Sequence, residues 1–444
     1  MSESLSATAA PRPGAAWRFH PQRDRLLAEA HARPATPLPA PAWATRIAAL
    51  SGETSVDDDR AHMAALCRMI GAAEPGPTAR WCVLDANAWR LRWERHTEFS
   101  TWTFFRPAFD DSAAMFQATA LDLAPQSWIA DLPGDILVAC HVALVHEAPP
   151  EALLSSESHV GAVVADGAAR LLTDFRAGPD GFTRVILVSP NGDAALNGRI
   201  VQQIFEIETY RLMALFAFPM AQETAAKLAG IEAEAARSAL RVIEEGGAAE
   251  DRKLLTHLAA LAGEAEAIAA RTSFRFAAAR AYHGLVRERI AQLREDRLDD
   301  RPTIAEFMER RLAPAMRTCE SVDERQVAVS ERIARTAQML NTRVDIAAEE
   351  TNAELLASMD RRALLQLRLQ ETVEGLSVAA ISYYALGLLG YVLKAVAHVA
   401  PGIDPNFGTG LAAPVVIGLV WYGLRLLRQR ATDETNSMHR PPAP

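Results

Sequence analysis

The stretch Gly375-Leu-Ser-Val-Ala-Ala-Ile-Ser-Tyr-Tyr-Ala-Leu-Gly-Leu-Leu-Gly-Tyr-Val-Leu393 contains no charged residue, and a second uncharged run, Phe407 to Leu424, follows after a short loop. A helix needs about 20 apolar residues to cross a hydrocarbon core. Each run approaches that length, so the pair predicts a transmembrane hairpin over residues 375–424, with spans at about 375–396 and 407–426. The flanks set an orientation. Arg361, Arg362 and Arg368 precede the first span and Arg425, Arg428 and Arg430 follow the second, whereas the connecting loop holds only Lys394 at its edge and Asp404 inside it. Arginine excess marks the cytoplasmic side, so both chain ends are expected there.

The chain is 444 residues long, half of them hydrophobic, with a net charge of -9. That is enough apolar material for a sizeable core. An acidic balance supplies no overall positive field for a phosphate backbone, so no nucleic-acid partner is expected. The cysteines, Cys67, Cys82, Cys140 and Cys319, are far apart and set in apolar patterns, which reads as reduced core thiols rather than a zinc site. The N-terminus is rich in Ala, Pro and Ser and has no apolar run of the secretory kind.

Residues 1–16 read as disordered. The segment Trp17 to Arg33 is expected to pack back onto the first domain, and the prolines at 34, 37, 39 and 41 make a second extended, poorly packed stretch. Ala42 to Leu50 and Asp57 to Ile70 carry helical spacing, the second with Asp57, Asp58 and Asp59 where carboxylates favour the helix dipole. From Arg80 the period shifts toward two. Trp81 and Val83, then Trp89, Leu91 and Trp93, and then Phe99 to Phe105 read as strands, and Asp110 to Gln117 and Gln126 to Ala130 as short helices. Ile136 to Val145 is a continuous apolar strand, followed by Val160 to Ala165, Arg170 to Phe175 and Phe182 to Leu187. Turn signals stand at Asp166-Gly167 and Gly178 to Gly181.

Beyond Asn191 the strand signal stops, and Ile200 to Gln370 is dominated by Ala, Leu, Glu and Arg, broken at Gly246-Gly247 and at Asp299 to Pro302. The expected fold is α+β. A mixed α/β domain at 17–195 leads to a helical bundle or coiled-coil stalk at 196–374, then the hairpin and a cytoplasmic tail at 427–444. No Pro or Gly interrupts the chain between Pro314 and Gly375, so the last stalk helix is expected to run on into the first span.

No catalytic or nucleotide-binding motif is present, and no cofactor is expected. Arg92 to Trp102, read as one strand, would put Glu94, His96 and Glu98 on one face, which makes them weak metal-ligand candidates; a solvated face with ion pairs is the bland alternative. Trp93, Phe99 and Trp102 read as core, and His141 as a buried, hydrogen-bonded structural histidine. Glu206, Glu208, Tyr210 and Arg211 interrupt an apolar helix and are expected to form a fixed polar cluster where sheet meets helices. In the spans, Ser377, Ser382, Gly387, Gly390, Gly418 and Gly423 are the small residues expected to pack membrane helices together, within one chain or in a homo-oligomer.

Three separated segments, Arg92 to Thr103, Phe205-Glu-Ile-Glu-Thr-Tyr-Arg211 and Thr372 to Tyr384, resemble the bacterial family known as domain of unknown function 3422, predicted membrane-anchored proteins. The resemblance runs from about Arg18 to Arg428 and implies a bacterial inner-membrane location but no activity. The architecture is also loosely similar to the CorA-type magnesium channels, although Gly387 to Ala397 lacks their Gly-Met-Asn signature and Pro405-Asn406-Phe407 stands before the second span instead. Function is therefore expected to be that of a membrane-anchored scaffold, sensor or interaction protein with the bilayer as partner. An oligomeric ion channel or transporter is the alternative, and a metal enzyme using His96 is a third reading.

Overall fold

A computed structural model describes residues 18–23, 26–27, 35–52, 56–106, 115–116, 118–147, 159–244, 246–399 and 404–438. The expectations for residues 1–16 and for most of 110–117 fall outside these residues.

The elements run β1 (Ala42–Leu50), α1 (Val56–Ile70), β2 (Trp81–Asp85), β3 (Arg90–Arg95), β4 (Ser100–Arg106), α2 (Gln126–Ala130), β5 (Asp135–Val145), β6 (Val160–Val164), β7 (Ala169–Ala177) and β8 (Thr183–Val188). Then come α3 (Ala194–Leu215), α4 (Phe218–Ile243), α5 (Ala248–Leu293), β9 (Asp296–Arg297), α6 (Ile304–Arg311), α7 (Ala313–Val399) and α8 (Pro405–Met438). Among the described residues the strands form one sheet in the order β2-β3-β4-β1-β5-β8-β7-β6-β9, antiparallel throughout except for the β5–β8 pair. The fold is mixed α and β, with long helices following the sheet.

Ala42 to Leu50 departs from its helical expectation. It is β1, paired with β4 on one side and β5 on the other. Trp43 and Ile47 point into an aromatic core with Met63 and Leu66 of α1, Trp93, Trp102, Phe104 and Trp128. The opposite face carries Ala44, Arg46 and Ala48, which brings Ala48 against Met213 of α3. Four alanines in a stretch of nine residues favour a helix locally, but burial on both faces and pairing on both edges override that preference.

The proline-rich stretch also departs from expectation. Leu38 is buried, its amide donates to Ala194 O at 2.8 Å, and the Asn197 side chain donates to Leu38 O at 3.3 Å. Gly198 permits the approach, since a Cβ there would collide with the carbonyl oxygen of Thr36. The described residues of the Trp17 to Arg33 segment are exposed, Phe19 and Leu26 included.

Residues up to Gly246 and Arg252–Ala337 form one compact unit; Gly247–Asp251 and residues from Gln338 onward form another. The boundary expected at 196 lies inside the first unit. There α4, α5 and α7 are tied by Arg325 to Glu232 at 2.7 Å, Arg280 to Asp323 at 2.6 Å and Thr272 to Gln326 at 3.1 Å, around buried Leu228, Phe276, Val322 and Val329. In the second unit Arg343 pairs with Asp251. Helix α7 is unbroken over its 87 residues, running from the stalk into the first apolar stretch as the lack of Pro and Gly between Pro314 and Gly375 predicts, and α8 runs on to Met438, past the expected end of the second span.

Candidate functional site

The run Arg92 to Trp102 is a hairpin rather than one strand. β3 ends at Arg95, β4 begins at Ser100, and His96 N donates to Phe99 O at 2.9 Å to close the turn. The shared face expected for Glu94, His96 and Glu98 therefore does not exist. Glu94 stays on the sheet, 3.0 Å from Arg92 and 3.7 Å from Arg46. The His96 ring stacks on Phe99 with centroids 4.4 Å apart. Glu98, at the turn, accepts from Tyr282 Oη at 2.7 Å and from Arg275. Among the described residues no three His, Cys, Asp or Glu side chains are placed to hold a metal ion.

What the hairpin does instead is dock the sheet onto α5. Arg275, Tyr282 and Arg289 recur at seven-residue intervals on α5, about two helical turns each, so they share one face. Arg275 and Tyr282 take Glu98, Arg289 takes Glu206 of α3, and Tyr210 stacks on Tyr282 with centroids 5.7 Å apart. Beneath them Arg46 donates from Nε to Thr103 Oγ1 at 2.9 Å and lies 4.9 Å over the Phe205 ring. Burial lowers the Arg46 pKa against the opposing field of Glu94. Burial first, and then the hydrogen bond to Glu98, raises Tyr282; burial and Glu206 raise Tyr210, so both phenols stay protonated donors near neutral pH.

The cluster expected at Glu206, Glu208, Tyr210 and Arg211 divides in two. Glu206 and Tyr210 face α5, whereas Glu208 accepts from Arg211 at 2.7 Å and from Thr183 of β8 at 2.9 Å. Charges paired this way in a dry interior hold elements in register, and Arg211 also lines a small cavity of about 260 Å³ with Phe175, Phe307 and Met308. His141 is likewise enclosed. Its Nδ1 lies 2.7 Å from Thr45 Oγ1, its ring stacks on Phe182 at 4.2 Å, and burial lowers its pKa to about 4. The four thiols are free; Cys67, Cys140 and Cys319 are buried and Cys82 is half-buried.

In the second unit, two helices are long and apolar enough to cross a membrane by length and composition. Their apolar windows are uncovered: 6% of the window in α7 and 0% of that in α8 is buried. Of the small residues expected at helix contacts, Gly390 faces Thr409 across the hairpin, where an added Cβ would lie in ordinary contact with the threonine side chain, and Ser382 is buried. Gly408, not among those expected, faces Leu393. Ser377 Oγ donates to Val373 O of its own helix at 2.8 Å, and Gly387, Gly418 and Gly423 face open space within the chain.

Sequence reading missed Arg46, Arg275, Tyr282 and Arg289. The seven-residue recurrence on α5 was the available signal, polar side chains repeating along one face of an Ala-rich helix. Arg46 carried none, because its strand read as helix.

The family model described as "Protein of unknown function (DUF3422)" matches residues 18–431, and the chain belongs to that family. No curated protein and no solved structure matches the chain.

Proposed function

We propose that this member of the DUF3422 family is a membrane-anchored, non-enzymatic scaffold, sensor or interaction protein of the bacterial inner membrane. The hairpin crosses the bilayer, and the chain before and after it lies in the cytoplasm. The observation that carries this reading is the uncovered apolar surface of the two C-terminal helices. Leu388, Tyr391, Phe407 and Leu411 each expose more than two thirds of their surface. At roughly 25 cal/mol per Å² of apolar area, water is a poor environment for such helices and lipid a good one. The arginines on the outer flanks support the orientation. The internal pairing of the polar residues around the β3–β4 hairpin supports a structural use for them.

The test is fractionation of the full chain against a version ending at Glu374. Retention of the full chain in carbonate-washed membranes, with release of the shortened one, is expected. A full chain released by carbonate, or a shortened one retained, overturns the anchor. Cysteine introduced at Asp404 is expected to react with an impermeant maleimide from the periplasmic side only; labelling only from the cytoplasmic side overturns the orientation.

The unbroken helix α7 favours a second reading, an oligomeric channel or transporter assembled through the stalk and membrane helices. A symmetric homo-oligomer by native mass measurement and ion flux in liposomes support it. A monomer in mild detergent, or liposomes without flux, removes it.

A further inference from the structure

A cavity of about 540 Å³ lies between the C-terminal turns of α5 and the short helix α6, in the first compact unit. Its volume is within the range of about 300–1,000 Å³ usual for small-molecule sites. Its lining includes the buried apolar side chains Val286, Ile290 and Met308, with His283 half-buried among the polar ones. The charged groups gather at its edge. Glu295 is engaged there, its two carboxylate oxygens accepting the Ile304 amide at 3.0 Å and the Ala305 amide at 2.7 Å at the start of α6. Arg294 reaches Asp166 at 3.0 Å, but both side chains are more than half exposed, so water screens the pair and leaves the guanidinium able to take another partner. Arg287, about two turns back along α5, has no ion pair among the described residues. The remaining carboxylate on the wall, Glu309, lies 3.5 Å from Arg317. That pair is as exposed as the one Arg294 makes, so the wall carries two available arginines against one available carboxylate, Glu309, with Glu295 held by backbone amides; the balance is positive and suits an anion.

We propose that this cavity binds a small organic anion, an apolar body about the size of one substituted aromatic ring bearing a single carboxylate. Arg287 and Arg294 take the carboxylate, and Val286, Ile290 and Met308 pack against the body. Guanidinium groups suit this role because their planar N–H fork matches a carboxylate's two oxygens. The proposal rests on the cavity alone and is independent of whether the C-terminal helices enter a bilayer.

The test uses the full chain in lipid nanodiscs, with empty nanodiscs as the blank, and fluorine NMR of para-trifluoromethylbenzoate as the probe. Saturable binding of the benzoate is expected, weakened about 10-fold or more for the neutral benzamide of the same shape, since a charge-assisted pair is lost. Arg287→Gln, a change at an exposed position, is expected to weaken the benzoate by about 10-fold and leave the benzamide unchanged. Ala291→Trp, placed to fill the cavity from its exposed wall, is expected to remove binding; if it lowers the melting temperature, Arg287→Gln alone decides. Absence of saturable binding, equal binding of benzoate and benzamide, or an Arg287→Gln protein that binds like the parent overturns the proposal.

Discussion

Asp59 and Arg95 meet at 2.8 Å with neither side chain exposed to solvent, joining the first turn of α1 to the end of β3. The same carboxylate oxygen accepts from Ser100 Oγ at 2.6 Å and Ser51 Oγ at 3.0 Å, and Arg95 also donates to the carbonyl of Gly52. Removing one member of such a pair leaves a buried charge alone, which costs about 3–5 kcal/mol. Asp59→Ala is expected to lose that much stability, measured as a lower urea midpoint by tryptophan fluorescence. Trp93, bonded to Ser100 at 3.3 Å, is a built-in reporter. Asp59→Leu with Arg95→Met is expected to recover part of the loss.

His141 makes the first unit acid-sensitive. Burial is the main cause of its depressed pKa of about 4, with Asp180 and Arg184 acting in opposite directions. The unfolded chain takes up a proton near pH 6.5 and the folded chain only near 4, so stability is intact above about 6.5 and is lost as pH falls toward 4. The slope integrates to roughly 3 kcal/mol. His141→Gln is expected to flatten the dependence of unfolding midpoint on pH in this window, whatever it does to absolute stability.

The Glu98 contacts join residues 177 and 184 positions apart in the chain. Glu98→Ala is expected to cost about 2–3 kcal/mol by leaving Arg275 buried without its carboxylate, and Tyr282→Phe about 1 kcal/mol. Hydrogen exchange is the sharper measurement, with faster exchange expected across the His96–Phe99 turn in Glu98→Ala.

Gly198→Ala tests the docking of the proline-rich stretch. The added methyl meets the backbone of Thr36, which cannot turn aside as a side chain does. A loss of about 1–3 kcal/mol is expected from the overpacking, together with new protease cleavage near residues 35–41.

An arginine at Leu388, mid-way along the first apolar stretch, is expected to make insertion less favourable by roughly 3 kcal/mol. The measured outcome is a reduced carbonate-resistant fraction for Leu388→Arg, while Leu388→Ile behaves like the parent.

Much of this molecule was legible before any coordinates. Alternation located β2 and β3, an aromatic-rich run β4, a continuous apolar run β5 and turn signals β6 to β8, because each pattern is written in neighbouring residues, and the stretch without Pro or Gly between Pro314 and Gly375 located most of α7. Uncharged length alone marked the two C-terminal helices. These are local properties, since period and hydropathy belong to contiguous residues. The tertiary structure decided the rest. Ala42 to Leu50 became a central strand only because β4 and β5 arrived on either side of it, and Glu94, His96 and Glu98 parted only because a turn falls among them. Arg46, Glu98, Arg275 and Glu206 acquired their partners from remote parts of the chain, and pairing across such distances leaves no periodic trace in the residues around each one.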